Sequence, residues 1–147
     1  MRPSSLSNPL LVFTICVAVL ACGRKGDPVP RPRTPAGPVE ARMDDLRRVI
    51  AVLPSRDKAG QALPGVELVR VIYLPLGLTR PAPEEVFSRG EVVLERRRPD
   101  LPGPGERLVL DLRSLRRPQG WIVLVAVRLG NVPGAPSEVL PWMDSSL

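Results

Sequence analysis

From residue 106 to residue 112 the chain reads Glu-Arg-Leu-Val-Leu-Asp-Leu. Leu108, Leu110 and Leu112 fall on one side of an extended chain and Arg107, Val109 and Asp111 on the other, which predicts a strand with one buried face. Residues 66–74 and 121–129 are longer, β-branched runs that also predict strands. Residues 48–53 and 91–96 add shorter ones, and residues 137–142 close the set. Between them lie the turn-rich stretches SRDKAGQALPG, RPDLPGPG, RRPQG and GNVPGAP. Only APEEVFSRG, residues 82–90, has helical character: Pro83 and two glutamates open a single turn and Gly90 ends it. No segment supplies the amphipathic helices that parallel crossovers need. The pattern therefore predicts an all-β fold, an antiparallel sandwich, with no internal repeat.

The N-terminal region follows a different rule. Residues 9–22 are an uncharged run of 14 residues, whereas a membrane-spanning helix needs about 20. A short segment with Arg2 precedes it, so the arrangement is that of a secretory signal. Its end, Val19-Leu20-Ala21-Cys22, resembles the lipobox of bacterial lipoproteins, with Leu20 bulkier than is usual at its position. The resemblance implies cleavage between Ala21 and Cys22, with diacylglycerol and an N-acyl chain on Cys22 and membrane attachment through them. No other cofactor is expected. CGRKGDPVP resembles the opening of small Gram-negative outer-membrane lipoproteins, with Asp27 where proline is usual. That similarity and Gly23 after the cysteine imply the cell envelope, at the outer membrane.

Residues 23–38 contain five prolines in 16 positions. Proline fixes φ and withholds a donor, so this stretch is expected to be a polyproline-II tether reaching roughly 50 Å. Its cations, Arg24, Lys25, Arg31 and Arg33, either reinforce attachment to anionic lipid or keep the spacer solvated. Four segments follow from this reading: signal 1–21, lipidated cysteine and linker 22–38, folded domain 39–143 and tail 144–147. Cys16 leaves with the signal and Cys22 is consumed by lipid, so packing alone must hold the domain.

PAGPVEARMDD, RRVIAVLP, GVELVRVIYLP and WIVLVAVRLGNVPGAPSEVLPW, in this order, resemble a fibronectin type III domain, an immunoglobulin-like sandwich. Two positions depart from that family. Its strand-B tryptophan is Val52 or Leu53 here, and the tyrosine that opens strand F is Trp121. The resemblance implies that Trp121, Val123, Val125 and Val127 face inward on strand F, and Val69, Val71 and Tyr73 on strand C. Leu68, Ile72, Ile122 and Leu124 would then cluster on the outer face. Left open, such an apolar patch marks a partner-binding site; otherwise residues 77–90 fold over it.

Charge and chemistry narrow the function. The chain has 21 basic and 15 acidic residues, a formal charge of +6, and no histidine. Without histidine the commonest general base and metal ligand is missing. Ser55-Arg56-Asp57-Lys58 matches the S-x-x-K spacing but falls in a turn-rich loop without its partner motifs. The dense clusters Arg96-Arg97-Arg98 and Arg116-Arg117 end at prolines and lack the aromatic platforms of single-strand binders. The expectation is a non-catalytic protein that contacts no nucleic acid and no metal. It would present a module to an envelope protein or glycan, or else serve outer-membrane assembly through its lipidated N-terminus.

Overall fold

The computed structural model describes residues 33–45 and 47–143. Cys22 and Ala21, with the rest of the expected signal and most of the tether, lie outside the described residues. The strands are β1 (Glu40–Met43), β2 (Arg48–Val52), β3 (Leu68–Pro75), β4 (Glu91–Arg97), β5 (Arg107–Asp111), β6 (Gly120–Arg128), β7 (Val132–Pro136) and β8 (Leu140–Trp142), with helix α1 (Pro83–Arg89) between β3 and β4. They form two antiparallel sheets. One runs β1-β2-β5; the other runs β4-β3-β6-β7, with β8 also paired to β6. This is an all-β sandwich.

The main core lies between the sheets. Alternation along β5 buries Leu108 and Leu110, with Leu112 just beyond the strand, and leaves Arg107, Val109 and Asp111 outside. Val49 and Ala51 on β2 and Val69, Val71 and Tyr73 on β3 meet them from both sheets. Strands β3 and β6 form the longest ladder, with Leu68 opposite Val127 and Pro75 opposite Gly120. Nearly every side chain of β6 is buried, because both faces of this central strand are covered.

Local chemistry shapes α1. Pro83 occupies the first turn, where its missing N–H would have no partner, and Glu84 and Glu85 sit at the positive end of the helix. Arg89 pairs with Glu85 one turn back. Gly90 ends the helix directly on the sheet: a β-carbon there would lie 2.7 Å from the Ile72 side chain.

The folded unit starts earlier than the sequence suggests. Residues 33–38 were expected in the tether, yet the compact unit begins at Arg33. Ala36 is fully buried, bridges to Asp57 and accepts a hydrogen bond from the Ala135 amide. Gly37 donates to the Arg56 carbonyl at 3.0 Å. A small residue between prolines can enter a seam that a larger one could not, and composition alone does not show it.

Candidate functional site

The sequence-derived patch is not a surface. Leu68, Ile72, Ile122 and Leu124 are all buried, and they divide between two cores. The register decides their sides. Tyr73 stands opposite Ile122, Val71 opposite Leu124 and Val69 opposite Ala126. Residues directly opposite in a ladder project to the same face. Since Val69, Val71 and Tyr73 point between the sheets, Ile122, Leu124 and Ala126 must do so as well. The expected facing of β6 is therefore reversed: Val123, Val125 and Val127 lie on the outer face, and Trp121 packs with them.

That outer face is roofed. Val86 and Phe87 of α1, with Val139 from the β7–β8 connection, close over Leu68, Ile72, Val123, Val125 and Val127. Ser137 secures this connection. Its hydroxyl accepts from the Leu124 amide at 2.9 Å and donates to the Glu138 carbonyl. Of the two outcomes the sequence left open, residues 77–90 folding over the face is the one observed.

The opposite sheet keeps an open face. Outward from β1, β2 and β5 point Glu40, Arg42, Ile50, Val52, Arg107 and Val109. In register, Ile50 joins Arg42 on one side and Val109 on the other, while Val52 joins Glu40 and Arg107. A shallow groove of about 270 Å³ is lined by Glu40, Arg42, Ile50, Val52 and Arg107. Val109 is half exposed. Arg42 and Arg107 make no side-chain hydrogen bond or ion pair among the described residues, so the apolar stripe is bordered by available cations. Sequence pattern marked Val109 as outward, but only the pairing shows that it lines up with Ile50.

The free sheet edge at β4 is less inviting. Its register shifts beside Val71 and Ile72, and Glu91, Glu95, Arg96 and Arg97 crowd it. A bulge with charged side chains is a common defence against added strands. Arg70 reaches Glu95 at 2.7 Å, and its guanidinium holds the carboxyl below the usual range. Asp111 is held at about 2 by its paired Arg113. These shifts come from exposed ion pairs, not from a desolvated reactive group.

Two aromatic side chains tie the loop between β5 and β6. The Tyr73 hydroxyl donates to the Pro118 carbonyl at 3.1 Å, and the Trp142 indole donates to the Arg117 carbonyl at 3.0 Å. Trp121, expected to face inward, is on the outer side instead, and its indole nitrogen is buried without a hydrogen-bond partner. Arg80 lies 5.9 Å from its ring centre. Gly120 leaves room for the Tyr73 ring, which a β-carbon would meet at 2.6 Å.

Among the described residues no three metal-ligating side chains come together, and no helix is long and apolar enough to cross a membrane. Comparison with known protein families, curated proteins and solved structures finds no match to this chain.

Proposed function

We propose that this chain is an envelope lipoprotein, attached through acyl chains on Cys22. It displays a fibronectin type III-like module that binds a protein or glycan without catalysing a reaction. The observation that carries this reading is Val19-Leu20-Ala21-Cys22 closing a 14-residue apolar run and opening into a polar, proline-rich segment. Such a run is too short to span a bilayer, and acylation at its end supplies the anchoring that it lacks.

Strand partition supports the module. Sandwiches of the immunoglobulin type place strands A, B and E in one sheet and C, F and G in the other. Here β1, β2 and β5 share one sheet, and β3, β6 and β7 share the other, with β4 added beside β3. The surface available for a partner is the Ile50–Val109 stripe with Arg42 and Arg107 at its borders.

Complementation of a deletion strain tests this. The full chain is expected to restore the wild-type phenotype. Residues 1–38 alone, or a chain carrying Arg107→Glu and Val109→Asp at normal abundance, should fail. Rescue by residues 1–38 would instead assign the activity to the lipidated N-terminus, as in an outer-membrane assembly factor.

A further inference from the structure

The open face of the β1-β2-β5 sheet carries its charges in rows set by the register. Glu40, Val52 and Arg107 stand side by side, and Arg42, Ile50 and Val109 form the next row. Asp44, whose amide donates to the Arg48 carbonyl, opens a third row with Arg48 and Asp111. The carboxylates of that third row are held, Asp44 by Arg48 and Asp111 by Arg113. Glu40, Arg42 and Arg107 make no side-chain hydrogen bond or ion pair among the described residues. The middle strand thus presents Ile50 and Val52, and Val52 has a free acid on one side and a free cation on the other.

This arrangement matches itself. Two such faces stacked about a twofold axis along β2 place β1 of one copy over β5 of the other. Glu40 of each copy then meets Arg107 of the other, while Ile50 and Val52 meet their own counterparts. Arg42 falls over Val109, where its aliphatic stem covers the methyl groups. Aligned sheets cross at about 30°. That crossing displaces the flanking strands by about 2 Å, less than the roughly 7 Å between rows on one face. A twofold axis across the strands, centred on Ile50, instead sets Glu40 against Asp44, acid against acid. The charges therefore select one of the two ways of stacking the face.

We propose that the β1-β2-β5 face binds a second copy of this chain through the twofold contact along β2. This inference rests on the reading of the same face as the partner surface and names its occupant. A uniformly acidic partner would set a like charge against Glu40, and a uniformly basic one would do so against Arg42 and Arg107. The three strands give a footprint of about 14 by 17 Å, well under the ~800 Å² per partner of a standard interface. Association of free chains is therefore weak. It suits copies held close together on one membrane, where tethering raises the effective concentration.

The test uses the full-length chain carrying Val52→Cys in the complemented deletion strain, treated with a bismaleimide that spans the sheet separation of about 10 Å. A cross-linked dimer band is expected on a denaturing gel, and none from the chain without the added thiol. Glu40→Arg alone or Arg107→Glu alone should weaken the band several-fold. Both changes in one chain should restore it, and so should the two single variants expressed together, because each supplies the charge that the other lacks. A band indifferent to the charge reversals, or a double variant that fails to restore it, would overturn the proposal. So would a thiol at position 52 that a monofunctional maleimide labels but the cross-linker does not join, or one that neither reaches because something else covers the face. If no dimer forms while Arg107→Glu with Val109→Asp still fails to complement, the face serves a different partner and the broader reading stands.

Discussion

The Tyr73 hydroxyl and the Pro118 carbonyl lie 3.1 Å apart, joining a central strand to the loop that leads into its neighbour. Tyr73 is 2% exposed, and its ring fills the space that Gly120 leaves. Tyr73→Phe keeps the ring and removes only the donor. Loss of one such bond, with a carbonyl left partly unsatisfied, should cost about 1 kcal/mol, measured by urea denaturation.

The same hydroxyl gives an alkaline limb. Burial pushes its pKa above the ordinary 10.0, and the nearby Arg117 only partly offsets that. A raised pKa favours the protonated folded form, so this contribution is present below pH 10 and is lost as pH rises through the folded value. Stability of the wild-type chain should therefore fall more steeply above pH 10 than that of Tyr73→Phe. Parallel stability curves for the two proteins would contradict this role.

Leu124 and Val109 separate the two faces of the sandwich. Leu124→Ala removes a fully buried side chain between the sheets and should cost about 2–5 kcal/mol. Val109→Ala, at a half-exposed position, should stay within about 0.5 kcal/mol. Chemical denaturation of both variants measures the difference, and a comparable loss at Val109 would show that the open face is covered.

Much of this layering is legible in residues, and where it fails the failure has a physical cause. Along β5 charged neighbours mark the outer side, so Leu108 and Leu110 could be placed inward from alternation alone. Along β6 the run Trp-Ile-Val-Leu-Val-Ala-Val offers no polar residue to distinguish its faces. Only pairing with β3 does so, and a one-residue difference in facing exchanges Ile122 and Leu124 for Val123 and Val125. The helix of the roof was legible as a turn opened by Pro83 and two glutamates and ended by Gly90, but its packing over Ile72 depends on chain reversal through residues 76–82. Burial of Ala36 was hidden for a different reason. Prolines on both sides read as linker, while the decisive feature, a small side chain entering a seam, is tertiary. The Ile50–Val109 stripe joins two strands more than fifty residues apart and has no local signal.

Helix α1 should be separable from the sandwich it covers. Val86→Asp places a carboxylate at a fully buried position, a cost on the order of 2 kcal/mol or more without a partner. Because the main core lies on the other side of β3 and β6, the helix should lift while the strands persist. The expected result is strong binding of an apolar dye to the uncovered Leu68–Val123 face with a retained β-type circular dichroism spectrum. Complete unfolding would show that the two cores are a single cooperative unit.

Asp111 offers an acid-side check on the surface ion pairs. Its carboxyl is held at about 2 by hydrogen bonds from Arg113. A depressed pKa favours the charged folded form above the unfolded value and loses that preference as pH falls towards 2. An NMR titration should place the Asp111 midpoint near 2, and Arg113→Ala should return it towards 3.8. An unchanged midpoint in the variant would assign the shift to another group.

The central claim is that Cys22 carries lipid and the sandwich is displayed from it. Expression of the chain and its Cys22→Ser variant in a Gram-negative host with a clickable palmitate, followed by blotting of membrane fractions, tests it most directly. A labelled, shortened wild-type band in the membrane beside an unlabelled, unprocessed variant is the predicted result. Identical processing of both, with release of soluble protein, would contradict it.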